Sequence, residues 1–301
     1  MGISQYIKVI GRGKQGARAI TREQAADLFG QVLDGTVTDL EVGGFCLAMR
    51  IKGETPEEMA GFLDATYARL NRLPDNGKPT VVLPSYNGAR KLPVLTPLLA
   101  LLLAREGLAV MVHGTATESA RVFVPNVLAA LDIHALPAIR TIASGEAAFV
   151  PTELLSPGLK RLLDVRRAVG LRNSAHSLVK IMNPCAGKSI IVSSYTHPEY
   201  AQSMAETLAL VRADAMLLRG TEGEVVANPR RMPKMDGFLA GRQIPLEEAQ
   251  TGSLAELPEL PQDIDAASTA AYIQSVMAGR QPVPVPIARQ VEHILHLASQ
   301  L

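Results

Sequence analysis

A chain of 301 residues and 32.1 kDa is long enough for one large or two modest domains, and with 47% hydrophobic and 20% charged residues it is neither disordered nor fibrous. Aromatic residues make up only 4%, without a single Trp, which excludes a binding mode built on rows of stacked bases. Thirty Lys and Arg against 29 Asp and Glu cancel to +1, so a charge-driven partner must be read from how the charges are distributed.

The first 73 residues read as helices only. TREQ at 21–24 is a capping-box sequence, in which the Thr21 hydroxyl accepts from the third amide and Gln24 reaches back, and Gly35 supplies the stop. A second helix is expected over 39–52, ending at Gly53. TPEE at 55–58 opens a third with a hydroxyl cap, a proline in the first turn and two acids at the positive end of the helix dipole. After a linker at 76–79 the pattern changes. Short apolar runs at 80–83, 108–113, 147–150, 189–193 and 213–219 read as strands, separated by helical stretches around 95–106, 121–131 and 198–212, which predicts a parallel sheet covered on both faces. Residues 157–182 interrupt this alternation as a helical, basic insert. Two more helices are expected from about Ile264, separated by the proline-rich joint at 281–286. The expected fold class is therefore α/β: a small N-terminal all-helical domain (1–76), joined by the insert at about 157–182, and a larger domain (77–156 and 183–301) with a mostly parallel central sheet.

Cys46 and Cys185 lie in apolar or small-residue surroundings without CxxC spacing and read as buried free thiols in a reducing compartment. Residues 1–10 lack the features of a secretory leader, and the apolar run 94–104 is broken by Thr96 and Pro97, short of the ~20 residues a spanning helix needs. A cytoplasmic protein without a membrane partner is expected.

GRGKQG at 11–16 matches the GxGxxG pattern literally, and 7–10 could pass for a strand before it. The context fails, because Thr21 caps a new helix and no acid stands at a strand end about 20 residues on. The segment reads better as a flexible basic stretch, Lys8, Arg12, Lys14 and Arg18, with no acid through residue 20. PSYNGARK at 84–91 follows the first strand, where open α/β sheets carry ligand loops. It is either an Asn87-Gly88 turn or an anion loop with Arg90 and Lys91 beside its amides. His113, His134, His176 and His197 share no metal spacing and read as structural. Between 160 and 180, the basic residues Lys160, Arg161, Arg166, Arg167, Arg172 and Lys180 face the single acid Asp164, an imbalance that favours an anionic partner over a mixed solvated face. Arg219, Arg230, Arg231 and Lys234 form a third basic patch, while 246–265 is acidic throughout, with Glu256 near its middle.

The order and spacing of LAMRIKGETPEE at 47–58, His113-Gly114, VRRAVGLR at 165–172 and Asn183-Pro184 resemble the anthranilate phosphoribosyltransferases. That resemblance implies a nucleoside phosphorylase/phosphoribosyltransferase-like fold, dimerisation through the helical domain, and a hinge cleft for phosphoribosyl pyrophosphate (PRPP) with Mg2+. Several of that family's landmarks are altered here. Pro84, Ser85, Tyr86, Asn87 and Gly88 replace its GTGGD loop, Val112 replaces the lysine of KHGN before His113 and Gly114, and Val225 and Val226 replace its magnesium-binding Asp-Glu pair. Arg166 keeps the arginine that faces anthranilate. Valine offers no oxygen to a hard cation. The runs at 11–14, 84–91, 169–176, 194–200 and 220–225 resemble the YbiB family, a branch of the same fold. This closer resemblance implies sequence-tolerant binding of DNA or RNA through the phosphate backbone by a homodimer. It implies no cofactor, no catalytic residue and no metal ligand, and leaves Ser85, Asn87, Gly88, His113, Gly114 and Arg166 as a vestigial substrate cleft. The alternative is a working glycosyl- or phosphoribosyltransferase using Mg2+ with PRPP.

Overall fold

The computed structural model describes residues 2–13, 15–118, 120–253 and 257–301. The chain opens with α1 (Ser4–Ile10), so 7–10 is helical and no strand precedes GRGKQG. Three helices follow: α2 (Arg22–Asp34), α3 (Asp39–Lys52) and α4 (Pro56–Tyr67). Each begins in a complete capping box, from Thr21 with Gln24, Thr38 with Glu41, and Thr55 with Glu58, so two orphan amides are satisfied at every start. Phe29, Phe45 and Phe62 lock these helices together, with Phe29 and Phe62 stacked at 4.6 Å between centroids.

The second part contains β1 (Thr80–Ser85), α5 (Thr96–Arg105), β2 (Ala109–Gly114), α6 (Val124–Ala130), β3 (Ala147–Pro151), α7 (Thr152–Leu155), α8 (Pro157–Val169), α9 (Ala175–Leu178), β4 (Ser189–Tyr195), α10 (Pro198–Leu210), β5 (Ala215–Arg219), β6 (Met235–Leu239), β7 (Arg242–Glu247), α11 (Ala266–Met277) and α12 (Val285–Ala298). One seven-stranded sheet runs in the order β3-β2-β1-β4-β5-β6-β7. Its first five strands are parallel, whereas β6 and β7 add an antiparallel hairpin beyond the five strands expected from the sequence. The expected α/β class with a mostly parallel sheet is what the chain forms.

Alternation along the strands divides the core in two. Val81, Leu83, Val110, Val112, Ile190 and Val192 face α5, α11 and α12. Val82, Met111, Ile191 and Leu217 face the opposite way, into a core continuous with Phe29, Phe62 and Leu159 of the helical part. Helix α8 packs on α2 so closely that a Cβ at Gly158 would overlap the Leu33 carbonyl. Cys46 and Cys185 are free and buried, and burial pushes both thiols up to about 12. No described helix is long and apolar enough to cross a membrane.

The topology also places the site. From β1 the chain winds outward through β2 and β3, then returns to start β4 on the other side of β1. Such a switch point opens a crevice at the carboxyl ends of the two strands. The segments after β1, β4 and β5 meet there.

Candidate functional site

After β1, residues 85–91 turn their amides inward, as an anion-binding loop does. They are already engaged. The Glu224 carboxylate is buried among them and accepts from Ser85 Oγ (2.7 Å), Asn87 N (2.9 Å), Gly88 N (2.8 Å) and Thr96 Oγ1 (3.1 Å), two donors for each oxygen. Glu222 accepts from Arg90 N (2.7 Å) and Lys91 N (3.3 Å). One turn after β5 thus supplies two carboxylates to one loop. The turn is shaped for this: Glu222 has φ +53° and Gly223 φ +89°, and a Cβ on Gly223 would overlap the Asn87 side chain. Lys180 Nζ donates to the Gly223 carbonyl (3.0 Å) and Ser194 Oγ does so at 2.9 Å, clamping the turn from below.

Of the two readings the sequence left open for 84–91, a turn or an anion loop, the structure shows loop amides that are taken by carboxylates of the chain itself. Val225 and Val226 continue from Glu224 into the core, and among the described residues no cluster of His, Cys, Asp and Glu is arranged to hold a metal ion. The residues present do not fit Mg2+ with PRPP. Glu222 and Glu224 are site residues that sequence reasoning missed, although TEGE at 221–224, two carboxylates around a glycine just after a strand, was the available signal.

His113 and Gly114 end β2 beside the loop. Tyr86 Oη lies 2.8 Å from His113 Nδ1 and 3.0 Å from Thr152 Oγ1, and burial drives the imidazole down to about 3, so the ring is neutral. Gly114 is required because a Cβ would overlap the Ser85 carbonyl of the neighbouring strand.

The basic residues named from the sequence separate into two groups. Several serve the fold. Arg161 donates to the Leu33 carbonyl at the end of α2 (2.9 Å), Arg231 to the carbonyls of Gln250 (3.2 Å) and Gly252 (3.0 Å), Lys160 pairs with Asp164 and Lys234 with Asp236 (3.1 Å). Others remain available to solvent. Lys8, Arg12, Arg18, Arg90, Lys91, Arg167, Arg219 and Arg230 are exposed. Lys14 and Glu256 lie outside the described residues.

A convergent subset lies at the hinge between the two parts. Arg166 donates to Glu118 (2.7 Å) and Thr117 (3.3 Å), and Arg121 pairs with the same carboxylate. Burial raises the Glu118 carboxyl, but Arg121 and Arg166 outweigh it and hold it below the usual range. Arg172 is lowered by burial first and then by Arg166, Arg121 and Arg50. Arg172 thus lies within the fields of Arg166, Arg121 and Arg50, and two of these, Arg166 and Arg121, pair with Glu118.

Comparison with known proteins agrees with this architecture. Residues 4–69 match the family model described as glycosyl transferase family, helical bundle domain. Over 298 residues the chain is 40% identical to the uncharacterized protein YbiB of Escherichia coli (strain K12), covering 97% of this chain and 92% of that protein. Its fold is similar to that of anthranilate phosphoribosyltransferase from Thermus thermophilus, with a TM-score of 0.74 at 21% identity over 98% of this chain and 89% of that one. The Saccharomyces cerevisiae anthranilate phosphoribosyltransferase in complex with PRPP and Mg gives 0.70 at 14% identity, over 99% and 89% of the two chains.

Proposed function

Because the chain belongs to the YbiB family, whose members share the anthranilate phosphoribosyltransferase-like fold, we propose that it binds DNA or RNA through the phosphate backbone, without sequence preference, as a cytoplasmic homodimer. The observation that carries this reading is the convergence of Arg50, Arg121, Arg166 and Arg172 at the hinge, where the Glu118 carboxylate pairs with only two of the four. Exposed Arg90, Lys91 and Arg167 extend the positive surface, and the chain offers few aromatic side chains for stacking on bases. Phosphate neutralisation is then the main source of affinity. The transferase alternative is disfavoured, since the amides a pyrophosphate would need are bound to Glu222 and Glu224.

A gel-shift titration in salt tests the proposal. Affinity should fall steeply as salt rises and change little with base sequence. In Arg90→Glu with Arg167→Glu, each phosphate that the variant no longer neutralises should reduce the log-log slope by about 0.9 on duplex and about 0.7 on single strands. Salt-insensitive or strictly sequence-dependent binding would overturn it, and Mg2+-dependent transfer from PRPP to anthranilate, abolished in Arg166→Ala, would favour the enzyme.

A further inference from the structure

A second cleft, of about 580 Å³, opens where the α3–α4 junction faces α9 and the start of α10. None of the vestigial-cleft residues Ser85, Asn87, Gly88, His113, Gly114 or Arg166 lines it. Its polar wall holds Arg50, Arg172, Lys180 and His176, with Thr196 and the N-terminus of α10, where His197 gives no side-chain cap. Two carboxylates also line it: Glu54, which accepts from Ser174 Oγ (2.6 Å), and Glu199.

The histidine supplies an independent observation. His176 is only 5% exposed, and its Nε2 has no hydrogen-bond partner. Its Nδ1 accepts from the main-chain N–H of Asn173 (3.3 Å), a group that can only donate. That donor makes Nδ1 an acceptor and assigns the ring proton to Nε2, while Asn173 Oδ1, 3.2 Å from the same nitrogen, takes the Ala175 N–H (3.1 Å). Burial drives this ring down to about 3, and the imidazole is a neutral donor. Lys180 meets only carbonyl oxygens, of Gly223 and of Ser194 (3.4 Å), and no ion pair engages Arg172 among the described residues. A buried donor without an acceptor destabilises the site, and a ligand oxygen would relieve that cost. Met59, Ile181, Tyr195, Tyr200 and Met204 line the same cleft and give it an apolar, partly aromatic surface beside these polar groups.

We propose that this cleft binds a phosphate monoester, its oxygens held by Arg172, Lys180 and His176 Nε2–H and its organic part against the apolar wall. An arginine fork, an ammonium, an imidazole N–H and a helix N-terminus suit the several acceptor oxygens of a phosphate, and the volume has room for a sugar or nucleoside beside it. The phosphate could belong to a free small ester or to the end of a nucleic-acid strand, and the chemistry of recognition is the same.

Titration calorimetry of the full chain with adenosine 5′-monophosphate and with adenosine tests the site. The monophosphate should bind at least tenfold more tightly, and Arg172→Gln should remove most of that difference. In the unmodified protein the His176 Nε2 resonance should shift with the monophosphate and not with adenosine, a readout that no folding defect of a variant can imitate. A 5′-phosphorylated decanucleotide that displaces the monophosphate better than its 5′-hydroxyl counterpart assigns the site to strand ends; displacement by mononucleotides alone assigns it to free esters. Equal affinity for adenosine and its monophosphate, no binding up to about 10 mM, or an unmoved His176 resonance overturns the proposal. The nucleic-acid reading fails separately, through the salt dependence of long 5′-hydroxyl strands.

Discussion

Glu224 is the residue on which the loop after β1 depends. Its carboxylate has four donors and is shielded from water, so Glu224→Gln leaves the shape but removes the charge: the amide oxygen can keep the Asn87 and Gly88 N–H groups, while the NH2 makes the Ser85 and Thr96 hydroxyls act as acceptors. Losing the charge assistance of these bonds should lower stability by about 1.5–3 kcal/mol in urea unfolding at neutral pH. A change below about 1 kcal/mol would show that the carboxylate is not held as described. The two buried histidines predict a pH response. His113 and His176 are both driven to about 3 from the ordinary 6.5, chiefly by burial. Between those values the unfolded chain binds more protons than the folded one, so their contribution is complete above 6.5 and is lost as pH falls through the folded values. Unfolding free energy measured from pH 7 to 3.5 should therefore decline, and His113→Gln and His176→Gln should each make the decline shallower.

At the level of elements, the sequence was most legible where local chemistry decides the outcome. The capping box at Thr21, the hydroxyl cap at Thr55 and the glycine stops at Gly35 and Gly53 were readable because a helix end is set by a few neighbouring side chains. The β6–β7 hairpin was not, since MDGFL and RQIPLE carry Asp, Gly and Pro where a strand pattern needs apolar alternation. Their strand state is imposed by pairing with β5. The site was legible in its loops and in Arg166, but the carboxylates that fill the loop lie over 130 residues away in sequence, and no local pattern shows such a pairing. The α2–α8 junction gives the prediction at this scale. Gly158→Ala should destabilise the chain by about 1–3 kcal/mol, read as a lower urea midpoint with an unchanged slope, because the overlapped Leu33 carbonyl is backbone and cannot swing aside.

For the whole molecule, the open question of assembly centres on α3. Phe45, Cys46 and Met49 are buried within the helical part, as their spacing predicts, yet Leu40, Leu47 and Ile51 on the same helix remain 86%, 42% and 74% exposed. These three fall on one face, and burying each would contribute about 1.5–3 kcal/mol. A two-fold pairing of this ridge with a second copy is the expected assembly. Sedimentation should give a dimer at micromolar concentration, and Leu47→Glu with Ile51→Glu should give the 32.1 kDa monomer; a monomeric unmodified chain would refute the pairing.

The turn that carries Glu222 and Glu224 also changes the kind of equilibrium that governs the crevice. A diffusible anion fills such a loop according to its abundance, whereas a tethered carboxylate is present at an effective concentration of the order of millimolar or more. The loop after β1 consequently keeps its occupied shape whatever the cell's phosphate supply, and an outside anion must compete with a partner that never dilutes. The loop is therefore set once, at folding, and stays set.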